Sequence, residues 1–598
     1  MLLSVPAKVE QKKRWVVRPA DSRSSQLARS LKVSPLLAQI LINRGITDVQ
    51  VGSTFLRPKL TELIPPQQMP GIEPAVERIK QAIRNNEKIT LYGDYDADGI
   101  TGVAILWQIL NILGANIDYY IPHRIEEGYG LNAEAVQLLA QTGSRLLITV
   151  DCGITAYGAA SLAKQLGLDL IITDHHLPDP SASQNPTAVA IVHPALDKNY
   201  PNQDSAGAMV AFKLAWAIAN EFNTAISGAY GAKLEPRLYE FMLNATSLAA
   251  IGTIADIVEL RGENRVLASY GLKAIPECKL PGIQALIQST GLASRALDSF
   301  DIGFRLAPIL NAAGRMGHAR LAAQLLISQA GEDSIKMAEH LKALNNQRQL
   351  CERKIFKQAC EMILQRDLAH PDRRSIVLAG ENWHTGVIGI VASRIVETFC
   401  RPTIMINLVP PEGAPPGRAQ GSGRSITSFD LLGAIRACSH HLISFGGHEM
   451  AAGITIQAEK IDRFAAEFET YASQTISTDD ILPKLHIDAL AQVSDFRRET
   501  VSELQMLGPF GHGNPEPIFA TKGVRLACPP RRVGSSADHL QAIITDGTAT
   551  VRCIGFGFGN LEKKLLDREF FNVAYQPQLN TYNGNTNVEF VLADIQFE

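Results

Sequence analysis

The residues with the clearest chemistry are three aspartates, Asp94, Asp96 and Asp98, inside the stretch L-Y-G-D-Y-D-A-D-G-I-T that runs from Leu91 to Thr101. Carboxylates this close together resist joint ionisation unless a cation sits among them. A divalent metal is the simplest such cation. An EF-hand calcium loop also begins D-x-D-x-D-G, but its twelfth position must be a bidentate Glu, and here that position is Ile105. A turn made only for structure needs one Asp or Asn and a Gly, and three carboxylates exceed that need.

Such a cluster needs elements to hold it. Residues 89–92 form a short apolar run, and Val103, Ile105, Leu106, Ile109, Leu110 and Leu113 recur at helical spacing, which predicts a strand, a tight turn and a helix. From about Ile72 the chain alternates between strand-like and helix-like segments, the pattern of a parallel α/β sheet. Three further strand ends carry polar residues. The strand over 117–121 runs into Pro122-His123-Arg124 and the glycine-rich Glu127-Gly128-Tyr129-Gly130; that over 146–150 ends on Asp151-Cys152-Gly153, and that over 170–173 on Asp174-His175-His176. Ligands of open α/β sheets bind just beyond the carboxyl ends of strands, so these groups can converge. Two plainer readings stay open: Asp151 as the cap of a following helix, and the histidine pair as an ordinary surface or core feature. A carboxylate-rich site with one or two imidazoles suits Mn²⁺ or Mg²⁺ better than structural zinc, which prefers thiolate and imidazole.

A further strand over 188–192 precedes apolar helices over 208–219 and 238–254, the second leading into G-T-I-A-D-I-V with Asp256 in an apolar setting. A carboxylate there needs a partner, which makes Asp256 a candidate ligand or a helix-terminal cap. Residues 263–371 read as a helical connector holding N-A-A-G-R-M-G-H-A-R (311–320) and a long charged helix over 335–366 that spans between two lobes. The two glycines and two arginines of 311–320 fit either a turn close to an anion or a flexible basic loop. A strand over 375–378, a helix ending near Phe399 and a strand over 403–407 begin a second α/β domain. The Pro/Gly-rich stretch 410–417 leads to G-S-G-R-S at Gly421, where small residues allow close backbone approach to a phosphate, Arg424 brings charge and Ser422 a hydroxyl. In F-G-G-H-E-M-A-A-G, His448 stands beside two glycines that also suit an ordinary turn. Short β segments over 524–527, 540–544, 548–554, 571–575 and 588–595 fit a small barrel such as an OB-fold. Arg531 and Arg532 are its candidate phosphate contacts, with a solvated loop as the plainer reading.

With 598 residues, the chain should hold about three or four domains. Hydrophobic residues are 46% and charged residues 20%, ordinary for a globular protein, and the net charge is only −3, so any nucleic-acid site must be a local basic groove. The eight cysteines are scattered and include no C-x-x-C pair, so neither a zinc module nor a disulfide framework is suggested and reduced cytosolic thiols are the simplest reading. Met1-Leu2-Leu3 is followed by Lys8, Lys12, Lys13 and Arg14 before any adequate apolar core, and no run is long enough to span a membrane. A soluble, cytoplasmic protein is expected.

Taken in order, D-Y-D-A-D-G at Asp94, D-C-G at Asp151, D-H-H at Asp174 and A-D at Asp256 resemble the DHH phosphoesterase superfamily. With E-G-Y-G-L at Glu127, N-A-A-G-R at Asn311, G-S-G-R-S at Gly421, G-G-H-x-x-A-A-G at Gly446 and L-G-P-F-G-x-G-N-P-x-P at Leu507, the chain from about residue 70 onward is similar to the RecJ family of bacterial single-strand-specific exonucleases. The resemblance implies an N-terminal lead-in (1–71), a parallel-sheet DHH domain (72–262), a helical connector (263–371), an α/β DHHA1 domain (372–480) and a C-terminal OB-fold β-barrel (481–598), the first two lobes joined by a long helix around a groove. It implies Asp94, Asp96, Asp98, Asp151, His175 and Asp256 as ligands of two Mn²⁺ or Mg²⁺ ions, with His176, Asp98 and Asp151 catalytic and Asp174 orienting an imidazole. Arg124, Arg315, Ser422, Arg424 and His448 would contact phosphates, a 5′-terminal one included. The implied activity is hydrolysis of single-stranded DNA from its 5′ end to mononucleotides in repair and recombination, by a monomer working beside a single-strand-binding protein and a repair helicase. Metal activation of water for in-line attack on phosphorus would be its chemistry.

Two other functions compete. A superfamily enzyme acting on short oligonucleotides, cyclic dinucleotides or pyrophosphate would not need the barrel and the long connector. A DNA-binding scaffold without catalysis would not need the intact set of aspartates and histidines.

Overall fold

The computed structural model describes residues 13–597 apart from 125, 228–232, 410–416 and 583. Lys8, Lys12 and the Pro/Gly-rich approach to Gly417 thus lie outside the described residues. The chain divides into two compact bodies, one made of Ser53–Arg348 with Leu507–Pro515, the other of the N-terminal segment to Gly52, Gln349–Met506 and Glu516–Glu598.

The first body is built on β1 (Ile89–Gly93), β2 (Ile117–Tyr120), β3 (Leu146–Val150), β4 (Asp169–Thr173) and β5 (Ala190–Val192), in the spatial order β2-β1-β3-β4-β5. All neighbours are parallel. β1 and β3 are buried along their whole length, as expected for strands covered by helices on both faces, which therefore read as continuous apolar runs. Register brings the strand ends level with one another. Gly93 pairs with Val150, Val150 with Thr173, and Thr173 with Val192, so the next residues, Asp94, Asp151, Asp174 and His193, stand in one row across the sheet. The ladder even continues through their backbones, with Asp94 N donating to Val150 O, Asp151 N to Thr173 O and Asp174 N to Val192 O at 2.9–3.2 Å. Chain order reverses between β1 and β3, the crevice where open α/β sheets bind ligands.

Against this sheet pack α1 (Ala97–Ile112) and α2 (Gly207–Ser227), and on those helices pack α3 (Pro236–Ala255) and α4 (Ala307–Arg315). Residues that the sequence reads as connector contribute to the same core, among them Leu286, Ile309, Leu326 and Leu344. Their apolar faces have the helical period, but only packing shows which core they fill. Lys213 is buried in this body and is satisfied by Glu263 and the carbonyl of Ile64, the pairing a buried charge requires.

The division between bodies falls within α5 (Gly331–Gln365). The second body has a sheet of β6 (Ile376–Gly380), β7 (Thr403–Asn407), β8 (Arg418–Arg424), β9 (Leu442–His448) and β10 (Ala451–Gln457), in the order β9-β10-β8-β7-β6, with α6 (Thr385–Phe399) beside it. G-S-G-R-S enters strand β8 and F-G-G-H closes strand β9, so the turn expected at Gly-Gly-His begins only after His448. Its barrel consists of β11 (Ala489–Leu490), β12 (Phe519–Val533), β13 (His539–Thr545), β14 (Thr550–Gly555), β15 (Phe571–Tyr582) and β16 (Asn585–Gln596), closed by pairing of β12 with β15. Closure removes exposed sheet edges. Arg531 and Arg532 lie on β12 rather than on a loop, and Arg532 Nε donates to Glu562 Oε2 at 3.0 Å. The N-terminal lead-in as far as Gly52, whose function the sequence does not show, belongs to this body. Its strand Arg14–Val17 pairs with Lys484–Ile487, and Trp15 Nε1 donates to Asp594 Oδ2 at 2.6 Å. Among the described residues, no helix is long and apolar enough to cross a membrane.

Candidate metal centre

The turn after β1 is held from three sides. Asp96 caps α1, its Oδ1 accepting from Asp98 N at 2.9 Å and Gly99 N at 3.1 Å. Ala97 N, another orphan donor of that first turn, is taken by Asn311 Oδ1 of α4 at 2.7 Å. Asp98 lies in the first turn of α1 and is buried; its two oxygens accept from Gly207 N at 2.6 Å and Ala208 N at 2.9 Å, at the start of α2. A helix N-terminus is a favourable partner for a carboxylate. Only glycine fits at 207, because a Cβ there would stand 2.6 Å from Asp151 Cβ.

Asp151 is buried and its backbone is left-handed, with φ +64. It caps no helix: the next one begins at Tyr157 and its cap position is Ala156, without a side-chain bond. His175 Nε2 lies 3.0 Å from Asp151 Oδ1, 3.7 Å from Asp256 Oδ2 and 3.9 Å from Asp98 Oδ2. A backbone hydrogen bond at Ser205 holds the same ring. Asp256 sits at the C-terminal cap of α3, as one of its two readings has it, and its carboxylate also stands within the cluster.

Electrostatics shows how strained this set of acids is. Burial, reinforced by the neighbouring carboxylates, drives Asp94 and Asp151 well above the carboxyl range, Asp98 to about 7 and Asp256 to about 9. His175 goes the other way: burial and the charge of His176 press it to about 3, leaving a neutral imidazole with a free lone pair. His176 differs again. Burial disfavours its cation, yet the hydrogen bond and charge of Asp174, whose Oδ1 lies 2.8 Å from Nδ1, raise it above the ordinary value. Asp174 is held at about 2 against its own burial by that histidine, and it also accepts backbone N–H groups from Ile154, His175 and His176.

These donors fit divalent metal. Asp94 Oδ1, Asp151 Oδ1 and His175 Nε2 are buried and none has a hydrogen-bond partner, a costly state for polar atoms unless something else satisfies them. Asp94, Asp96 and Asp151 can each offer an atom within 4.8 Å of the others, as can Asp98, His175 and Asp256, while Asp151, His175 and His176 form a third such group that links the two. Two adjoining donor sets, rich in oxygen with one neutral imidazole, suit Mn²⁺ or Mg²⁺.

Around this centre, Tyr129 Oη lies 3.1 and 3.2 Å from the ring nitrogens of His176 and donates to Asp151 O at 3.3 Å. The Arg124 guanidinium lies 4.8 Å from the centre of the Tyr95 ring. Burial and Asp94 push the Tyr95 hydroxyl to about 12 against the pull of Arg124 and Arg315, which places both cations near this tyrosine. Of the stretch 311–320, Asn311–Arg315 is the last turn and more of α4, and the turn comes after it, at Met316 and Gly317, where Gly317 has φ +84. Gly314 permits close packing, since a Cβ there would stand 2.6 Å from Tyr95 O. Ser422, Arg424 and His448 belong to the second body. Arg424 Nη1 donates to Ser422 Oγ at 3.1 Å, and His448 Nδ1 accepts from Met450 N at 3.3 Å.

Sequence reasoning gave no role to Tyr95, Tyr129, Asn311 or His193. The last had a signal: it follows a strand end, as Asp94, Asp151 and Asp174 do. His193 Nδ1 accepts from Ala195 N, so Nε2 carries the proton and donates to His176 O at 2.8 Å.

Comparison with known proteins agrees with this geometry. Models of the DHH family N-terminal domain, the DHHA1 domain and the RecJ OB domain match residues 88–246, 372–474 and 487–594. A single-stranded-DNA-specific exonuclease RecJ of Bacillus subtilis is 36% identical over 585 residues, spanning 98% of this chain and 71% of its own. The chain belongs to the RecJ family. A crystal structure of RecJ from Thermus thermophilus in complex with Mn²⁺ matches with a TM-score of 0.82 at 30% identity, over 99% of this chain and 80% of that one. The Mg²⁺ complex of RecJ from the same source matches with a TM-score of 0.76 at 29% identity, over 98% and 78%. The RecJ-family architecture, a parallel-sheet DHH domain, an α/β DHHA1 domain and an OB barrel, is the fold of this chain.

Proposed function

We propose that this chain is a metal-dependent exodeoxyribonuclease that hydrolyses single-stranded DNA from the 5′ end and releases 5′-mononucleotides, in DNA repair and recombination. The observation that carries the reading is the buried donor set of Asp94, Asp151 and His175, unsatisfied within the protein and surrounded by Asp96, Asp98 and Asp256. Membership of the RecJ family, whose relatives carry the name single-stranded-DNA-specific exonuclease, supports the substrate.

Asp94, Asp96, Asp98, Asp151, His175 and Asp256 would hold two Mn²⁺ or Mg²⁺ ions. When bound, such ions supply Lewis acidity toward water and phosphoryl oxygen. The rest is work for side chains. Asp174 fixes the ring of His176 and favours its cation, so the imidazolium offers an N–H to a phosphate oxygen, strongest as negative charge grows there. Arg124 and Arg315, both near Tyr95, offset phosphate charge on the same side. Arg424, hydrogen-bonded to Ser422, and His448 serve further phosphates in this reading. The reading also includes a monomeric, cytoplasmic enzyme with a single-strand-binding protein and a repair helicase as partners; the free state of all eight cysteines supports the reducing compartment.

The test is a single-stranded oligonucleotide labelled at its 3′ end, incubated with Mn²⁺, Mg²⁺ or chelator beside the matching blunt duplex. Stepwise, metal-dependent shortening of the single strand with the duplex intact is expected. Cleavage of dinucleotides or pyrophosphate alone would move the chain to the small-substrate branch of the superfamily, and binding without cleavage under every metal would make it a scaffold.

A further inference from the structure

The candidate metal centre is lined by carboxylates and imidazoles, yet two large aliphatic side chains stand in solvent at its edge. Leu177 directly follows His176 and is 86% exposed; Ile257 directly follows Asp256 and is 67% exposed. Consecutive Cα atoms are about 3.8 Å apart, so both side chains emerge next to site residues. Single exposed apolar residues are common. These two share an address, and one of them is held in a conformation its type resists. Ile257 has φ +63, where a β-branched residue is a genuine outlier. With most of its surface in water it gains little packing in return. Strain kept without a packing return points to a use for the side chain.

We propose that Leu177 and Ile257 form a nucleobase-holding subsite on the metal centre, gripping the bases of the nucleotides that flank the bond being cut. This rests on the exonuclease reading above and deepens it. Every base has an apolar face, so aliphatic contacts hold any sequence, while the phosphate between the bases belongs to the polar groups beneath. Leucine and isoleucine also serve as wedges between stacked bases. The χ1 of isoleucine is stiff, and Pro178 restricts the backbone from which the Leu177 side chain projects. Tyr129, itself 51% exposed and with its ring 5.5 Å from that of His176, adds an aromatic surface beside the residue that precedes Leu177. Bases of a duplex stay stacked and paired and offer no free face to such side chains, so the subsite adds to single-strand preference.

The experiment compares the full-length protein with its Leu177→Ala, Ile257→Ala and Ile257→Gly variants. Two single strands labelled at the 3′ end serve as substrates, one ordinary and one with abasic residues at its first two 5′ positions, and Mn²⁺ binding and melting temperature are measured in parallel. Each variant should lose about tenfold in kcat/KM on the ordinary strand. The unmodified protein should lose about tenfold on the abasic strand, and there the gap between variant and unmodified protein should shrink to about twofold or less. Ile257→Gly should melt at a higher temperature while cutting more slowly, because glycine accepts the positive φ. Equal losses on both strands, no loss on the ordinary strand, or a matching loss of Mn²⁺ affinity would each overturn the subsite. Failure of the unmodified protein to shorten the ordinary strand would instead overturn the exonuclease reading, and the subsite with it.

Discussion

Two histidines adjacent in sequence are driven to opposite states, and that contrast organises the site at the scale of residues. His175, buried against carboxylates and beside a charged neighbour, is pressed to about 3 and stays neutral. His176, on the rim, is raised by Asp174. A neutral imidazole can be a ligand and a protonated one a hydrogen-bond donor. Replacing Asp174 by Asn should remove the support for the cation and slow hydrolysis by about 10- to 100-fold. The pH effect has a definite sign: if His176 works protonated, activity falls as pH rises through its pKa, so lowering that pKa moves the alkaline limb of the rate profile to lower pH. A limb that stays in place would remove His176 from this role. Asp151→Ala should lower cleavage by a factor on the order of a hundred or more while single-strand binding, measured by fluorescence anisotropy, survives; full activity would sink the site assignment.

At the scale of elements, the site is a set of termini aimed at one another: the ends of β1, β3 and β4, the start of α1, the start of α2 and the end of α3. Each brings a carboxylate or an N–H, and together they accumulate more buried acid than the protein can satisfy alone. Stability without metal should therefore depend on pH. Asp98 at about 7 and Asp256 at about 9 titrate above an ordinary carboxyl, so between about pH 4 and those values the native state holds more protons than the unfolded chain. Stability of the metal-free protein then falls as pH rises, by about 1.4 kcal/mol per pH unit for each such group. Melting curves in chelator should show a lower midpoint at pH 8 than at pH 6, and added Mn²⁺ should raise the midpoint more at pH 8. A midpoint that climbs with pH in chelator would contradict this electrostatic picture. The strands and helices carrying these termini were legible because buried parallel strands are short continuous apolar runs and α1 keeps a helical period. In the stretch 311–320 the two glycines look alike in the sequence, but Gly317 makes the turn whereas Gly314 serves close packing on Tyr95.

At the scale of the whole molecule, a net charge of −3 provides no general attraction for DNA. In the proposed reading, binding comes from a few placed cations, for which Arg124, Arg315 and Arg424 are the candidates. If about three or four phosphates are neutralised, log affinity for a single strand should fall against log salt with a slope of about −2 to −3. A titration across salt concentrations checks it, and a much steeper slope would mean that a broad basic surface has been overlooked. The same near-neutral balance explains why composition alone pointed to no ligand: the charges that matter are local and are outvoted by the remainder of the chain.

What the sequence by itself determined was the kit of parts: a metal-type carboxylate cluster, strand ends bearing Asp151 and Asp174-His175-His176, a second α/β unit and a terminal β unit. These parts arise from periodicity and residue type within windows of a few residues, where local sterics and burial dominate. Tertiary structure alone decided which parts meet. Sheet register sets Asp94, Asp151, Asp174 and His193 side by side. Asp98 finds its N–H donors 109 and 110 residues away, and the Ala97 N–H finds Asn311 at a separation of 214. The lead-in gains its place through a strand paired with Lys484–Ile487. Ile257 acquires its positive φ where α3 ends against this cluster. Contacts of that range leave no local pattern, because the residues that make them are chosen by the packing of distant elements rather than by their neighbours in the chain.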